Sequence, residues 1–197
     1  MFHDKPRFAT GLRIVALLLA GPLAAWGVAP EGWYLAGSKP AEYESGLDAQ
    51  ALHDGHPSAY LKARKPAIDG FGTLMQDFRA DQYLGKRVRL TASVKTEGVQ
   101  EWAGLWMRVD KGSGTLPLAF DNMQSRPIKG TTDWQTYDVV LDVPRDATGI
   151  FFGVLLTGSG NVWLNGVKFE VVGADVHPTG EIHSPRPDRP RNLAFEE

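Results

Sequence analysis

The stretch "WAGLWMRVD", Trp102 to Asp110, gathers two indoles, a guanidinium and a carboxylate within nine residues. An indole face covers the apolar C–H face of a pyranose, while an arginine fork and a carboxylate hydrogen-bond its hydroxyls. In an extended chain, alternation puts Leu105, Met107 and Val109 on one side and Trp102, Trp106, Arg108 and Asp110 on the other. Two readings of that second face stand side by side. It takes a saccharide or another small polar ligand, or it closes on itself with Arg108 lying over Trp106 and paired to Asp110.

Other segments offer further polar candidates. Gln76, between Leu74 and Phe78 in "GTLMQDF", points wherever those apolar residues point. It is either a satisfied buried amide or a site group on an aromatic-lined concave face. Asp121, Asn122 and Gln124 follow "TLPLAF" and either line the end of that face or serve as turn residues bonded to nearby backbone.

Catalytic chemistry has thinner support. His53 and His56 have H-x-x-H spacing, but Gly55 and Pro57 make the segment a loop, without the fixed helical geometry that suits zinc. No G-x-S-x-G, glycine-rich phosphate loop or metalloprotease motif occurs. Asp138 and Asp142 lie roughly 13 Å apart along an extended strand, beyond the ~9.5 Å limit of a glycosidase pair. The sequence therefore names no catalytic residue and no metal ligand.

These side chains need a sheet to hold them, and period-two alternation runs through most of the chain from Glu31 to Val172. "RVRLTASVK" puts Val88, Leu90, Ala92 and Val94 on one face. "DWQTYDVVLDVP" alternates likewise until Pro144, which cannot donate to a ladder. "GIFFGVLLTG" is apolar on both faces, as a central strand is. With strands also near Trp33–Ala36, Tyr43–Leu47, Ser58–Lys62, Gly72–Phe78, Gly104–Asp110, Leu116–Phe120 and Asn161–Val172, about ten are expected. No long amphipathic helix interrupts them, so the expected fold is all-β: an antiparallel two-sheet β-sandwich of jelly-roll type. In "GNVWLNGVKFEVV" the apolar phase flips at Asn165-Gly166, which predicts a β-bulge rather than a hairpin turn.

Composition frames the rest. The chain has 197 residues, 43% hydrophobic and 22% charged, with a formal net charge of −2 and no cysteine. Disulfides and thiolate chemistry are excluded, and no general field attracts nucleic acid. At the N-terminus, Lys5, Arg7 and Arg13 precede an apolar run from Ile14 to Ala25, which the small residues Gly27 and Ala29 follow. That is the layout of a signal peptide, or of an uncleaved membrane anchor if the run extends to Ala29. Export to the periplasm or medium is the expectation. The C-terminal "HPTGEIHSPRPDRPRNLAFEE" is too rich in proline and charge to offset its ordering entropy, and reads as a disordered spacer. The expected division is residues 1–29 as signal or anchor, 30–173 as the sandwich and 174–197 as the tail.

The order of "RVRLTASVKTE", "DWQTYDVVLDVP" and "GIFFGVLLTGSGNVWLNGVKFEVV" resembles that of the jelly-roll carbohydrate-binding modules with a galactose-binding-like fold. The likeness covers Trp33 to Val172. "GFGTLMQDF", "WAGLWMRVD" and "AFDNMQSRPIKGTTDW" also resemble a subgroup of uncharacterised domains found alone or appended to helix-turn-helix regulators. A regulator of that kind needs a recognition helix, and the sequence shows none. The resemblance implies saccharide binding; the side chains expected to serve it, from their own chemistry and parity, are Trp106, Arg108, Asp110, Gln76, Trp102 and Asn122. It also implies a structural calcium ion, but Asn165-Gly166 stands where relatives carry an acidic pair, so no cofactor is expected. The leading expectation is an exported, non-catalytic binding module. A cell-envelope domain that binds a protein partner is the second reading, and an enzyme on a jelly-roll scaffold the third.

Overall fold

The computed structural model describes residues 27–112 and 116–182. Ten strands run antiparallel in chain order: β1 (Tyr34–Gly37), β2 (Tyr43–His53), β3 (His56–Ala63), β4 (Phe71–Arg79), β5 (Lys86–Asp110), β6 (Ala119–Asp121), β7 (Ile128–Val143), β8 (Gly149–Thr157), β9 (Asn161–Val172) and β10 (Glu181–Ile182). Two single-turn 3-10 helices, Pro40–Glu42 and Ala80–Tyr83, complete the described elements. This is the expected all-β jelly roll, and the expected β-strands are present.

One strand organises both layers. β5 has 25 residues, several times the common strand length of about 5–6 residues, and it belongs to both sheets. Its first half lies between β7 and β9, with Leu90 opposite Val139 and Phe169. Its second half lies between β8 and β6, with Met107 opposite Phe152 and Asp121. Between them the ladder with β7 slips at Thr96/Val99 and again at Val99/Ala103, and Gly98 takes a φ of 60°, a left-handed conformation that glycine adopts without a Cβ penalty. The bend shifts the phase. Val88, Leu90, Ala92 and Val94 are buried before it, and Ala103, Leu105, Met107 and Val109 after it. "RVRLTASVK" and "WAGLWMRVD", which read as separate strands, are two arms of one.

The sheet order is β1-β4-β8-β5-β9-β3-β2, with β6 and β7 paired to β5. Folding at β5 stacks β1-β4-β8 over β9-β3-β2 around a core that includes Leu61, Leu74, Leu141, Ile150 and Leu156. The phase flip in β9 is a bulge. Thr91 faces Lys168 while Ser93 faces Asn165, so β9 carries one extra residue, and Gly166 has a φ of 61°. The Asn165 amide donates to the His56 and Pro57 carbonyls and to Ser58 Oγ, at 3.3, 3.2 and 2.9 Å, tying the bulge to the start of β3.

Residues 174–182, expected to begin the tail, lie against the sandwich. Arg87 is fixed by a two-pronged pair with Asp142, at 2.7 and 2.9 Å, and Nη1 donates to the carbonyls of Ala174 and Val176. Thr179 then exchanges bonds with the backbone of Val140, and β10 pairs with β6. Composition could not reveal these bonds, because they satisfy backbone groups rather than bury apolar side chains. The remainder of the expected tail, 183–197, and most of the expected signal or anchor, 1–26, lie outside the described residues. Ala29 already packs on the core. Among the described residues, no helix is long and apolar enough to cross a membrane.

Candidate functional site

The register across β1, β4, β8 and β5 decides which side chains share the outer face of this layer. Leu105, Val154 and Leu74 align on the core side, and so do Met107, Phe152 and Gln76. One residue along, Trp106, Gly153 and Met75 align on the other side, as do Arg108, Phe151 and Asp77. The two-sided reading of "WAGLWMRVD" therefore holds, with Leu105, Met107 and Val109 fully buried in the core. On the opposite face a cavity of about 390 Å³ opens, lined by Phe71, Thr73, Trp102, Trp106, Arg108, Asn122 and their neighbours. Its size falls within the ~300–1,000 Å³ typical of small-ligand sites.

Trp102, Trp106, Arg108 and Asn122 thus meet in one cavity, but not in the roles that parity suggested. Trp106 is only 7% exposed and packs with Met75 and Leu155 in a second apolar cluster. Its indole N–H donates to Thr73 Oγ1 at 2.8 Å, and that hydroxyl donates onward to the Val154 carbonyl at 3.0 Å. Its neighbour in register on β8 is Gly153, which has no side chain to compete for the space. Trp106 is the cavity's floor, not a free platform. Trp102 is half-buried and keeps accessible ring surface. It aligns with Thr157 and then with Phe71 on β4. Two strand spacings separate the aromatic pair, about 9.6 Å, with Thr157 between them.

The charged end is self-paired. Arg108 Nη2 donates to Asp110 at 2.7 Å, and its guanidinium lies 4.9 Å from the Phe151 ring centre. The expected arginine-on-indole contact is replaced by arginine on Phe151, the residue directly opposite it on β8. Arg108 remains 43% exposed, whereas Asp110 is 10% exposed and does not line the cavity. Arg108 Nε is buried without a partner. Beside it, the Tyr34 hydroxyl donates to Asp77 at 2.8 Å. Burial, then that carboxylate, push the phenol up to about 12.

Gln76 does not join the site. It shares the core side with Leu74 and Phe152, and its amide donates to the Gly32 carbonyl at 3.1 Å. The parity of β4 alone does not say which face is concave; the register with β8 and β5 does. Its neighbours Thr73 and Met75, and Phe71 at the strand's start, are the β4 contributors. The legible signal is a glycine on each side of Phe71 in the sequence; the structure packs both closely, a Cβ at Gly72 meeting the Tyr43 ring at 2.5 Å and one at Gly70 meeting Ser38 and Lys39 at 2.7 Å. Asn122 both lines the cavity and accepts from the Gln124 N–H, a turn role, at 3.1 Å. Asp121 points inward and accepts from Met123 N–H and from both terminal nitrogens of Arg126. Gly104 lets this turn sit close, since a Cβ there would meet the Asn122 carbonyl at 2.7 Å. His53 and His56 face each other across a hairpin. Among the described residues no group of three or more His, Asp or Glu gathers to hold a metal.

No protein-family model matches the chain. Among solved structures, the xylan-binding CBM22-1 domain of Paenibacillus barcinonensis Xyn10C superposes with a TM-score of 0.53 at 13% identity, covering 76% of this chain and 91% of that one. A family 30 carbohydrate-binding module gives 0.51 at 16% identity, covering 71% and 92%. The fold is that of the carbohydrate-binding modules. At the level of sequence, the chain is 49% identical over 169 residues to the "Uncharacterized HTH-type transcriptional regulator YbfP" of Bacillus subtilis strain 168, covering 85% of this chain. The chain spans 57% of the length of that relative. This agrees with the likeness to domains appended to helix-turn-helix regulators. It also corrects the expected export, because a transcriptional regulator works on DNA inside the cell.

Proposed function

We propose that this domain binds a neutral saccharide without transforming it, holding a ring between Trp102 and Phe71. The observation that carries this reading is the alignment of Phe71, Thr157 and Trp102 across one open cavity. A flat ring stacked on both sides needs about two van der Waals contacts of 3.5–4.0 Å, which the ~9.6 Å strand geometry accommodates. Thr157, Asn122 and the free edge of Arg108 offer hydrogen bonds to hydroxyls at the rim. The fold shared with a xylan-binding domain supports the same class of ligand.

Two features favour binding over catalysis and a neutral ligand over a charged one. Among the described residues Arg108 is the only ionisable group lining the cavity, and a guanidinium neither takes nor gives a proton at ordinary pH. Its charge is already met by Asp110. The 49% identity to a transcriptional regulator favours a specific setting: ligand occupancy of this domain is the signal that such a regulator reads.

The test is calorimetric titration of the full chain with neutral oligosaccharides, xylohexaose and galacto-oligosaccharides among them. Trp102→Ala and Phe71→Ala should each weaken binding about tenfold, the equivalent of ~1.4 kcal/mol, with the fold intact by circular dichroism. Absence of binding across the panel, or binding untouched by both variants, refutes the proposal.

A further inference from the structure

The opposite layer carries a second cavity with different chemistry. Three irregularities build it. β7 carries an extra residue next to Trp134, since Val94 faces Gln135 but Thr96 faces Thr132. β9 carries its bulge at Gly166, on the other side of the same stretch of β5. β2 slips by three residues between Asp48 and Leu52, where Asp48 accepts from the Gln50 and Ala51 N–H groups. That slip carries the β2–β3 hairpin tip over β9 and β5. The tip turns tightly, Asp54 and Gly55 both having positive φ, 50° and 80°. His53 thereby reaches Trp134 on the far strand, the rings 4.7 Å apart and tilted by 36°.

Under this roof lies a cavity of about 330 Å³, floored by Thr91 and Ser93 and walled by Trp134, Thr136 and Lys168. Lys168 stands opposite Thr91 in register, and Thr136 opposite Ser93. Among the described residues, the three hydroxyls and the Lys168 ammonium have no hydrogen-bond or ion-pair partner. Of the described lining residues one is a carboxylate, Asp54, which lies 3.7 Å from His53 and is 88% exposed; Asp138, opposite Thr91 on β7, is paired with Arg89 at 3.6 Å. The set is rich in donors: three from an ammonium, one from each hydroxyl, beside an indole wall. In the first cavity the cation is neutralised by its own strand, whereas here it is uncommitted.

We infer that this cavity is a second ligand site, for a sugar bearing a carboxylate or a phosphate: the acid on Lys168, the hydroxyls on Thr91, Ser93 and Thr136, and the ring against Trp134. The site is independent of the first and does not rest on the function proposed for it. A charge-assisted bond of this kind contributes more than a neutral one.

Nuclear magnetic resonance titration tests it, with galacturonate and glucose 6-phosphate as probes and galactose and glucose as neutral controls. At least one acidic probe should shift the Trp134 indole N–H and the amides of Thr91, Ser93 and Lys168, and the response should persist in Trp102→Ala. Lys168→Met, an exposed position that leaves the fold untouched, should weaken the response about tenfold or more. Galacturonate alone acting names a carboxylate, and glucose 6-phosphate alone a phosphate. The inference is overturned if neither acid shifts these signals, if neutral sugars shift them equally, if Lys168→Met binds as the parent does, or if Trp102→Ala abolishes the response.

Discussion

Replacing Thr73 by valine isolates the strut that makes Trp106 a floor. The two side chains have nearly the same shape, so the substitution removes a hydroxyl without opening a cavity. The Trp106 N–H loses its acceptor at 2.8 Å, and the Val154 carbonyl loses the Thr73 donor at 3.0 Å. Trp106 is 7% exposed and Thr73 4%, so water cannot readily replace the lost partner. A buried donor left unpaired costs about 1–3 kcal/mol. Taking roughly 2 kcal/mol, the thermal midpoint of a domain this size falls by about 4–8 °C. Chemical and thermal denaturation of four proteins would check this: the parent, Thr73→Val, Trp106→Phe and the double variant. With phenylalanine at 106 there is no N–H to orphan, so Thr73→Val should cost at least ~1 kcal/mol less in that background. Additivity within about 0.5 kcal/mol would refute the strut and return Trp106 to the list of free platforms.

Other outcomes follow from the same geometry. Asp121→Ala leaves Arg126 facing a vacated pocket in a partly exposed pair, and should cost about 2 kcal/mol in urea denaturation, below the value for a fully buried pair. The Tyr34 and Tyr43 phenols are raised from 10.0 to about 12, each mainly by burial. The folded state thus holds protons the unfolded chain releases, so their contribution is complete below pH 10 and is lost as pH rises toward 12. Tyr34→Phe should flatten that alkaline decline, as read from denaturation midpoints against pH. Asp48 is lowered from 3.8, chiefly by the Trp163 indole N–H, which donates to it at 2.9 Å. Its contribution is present above the unfolded value and is lost as pH falls through the lower folded one. Trp163→Phe should therefore weaken the acid dependence of stability. Gly166→Ala should cost about 1 kcal/mol, because a φ of 61° penalises a Cβ in the left-handed region.

Much of this molecule was legible in the residues themselves. A period of two has a direct physical meaning, since successive side chains of a strand point to opposite faces. Alternation was enough to separate Leu105, Met107 and Val109 from Trp106 and Arg108, and a phase flip was enough to place the bulge at Gly166. Turn chemistry likewise marked Asn122 before its neighbours were known.

What parity cannot supply is the identity of the neighbour on the next strand, and the tertiary structure decided everything that depends on it. Gln76 shares a register row with Met107, so it belongs to the core side although its own strand reads equally well either way. Trp106 and Trp102 have the same parity, yet one lies beside Gly153 and under Thr73's hydroxyl while the other faces Phe71 across Thr157. Arg108 stacks on Phe151 because β8 places that ring directly opposite it. The second cavity depends on a hairpin crossing two strands to bring His53 to Trp134, 81 residues away in sequence. Alternation along one strand fixes a face, but a binding site is made by several strands in register, and register is a property of the folded sheet.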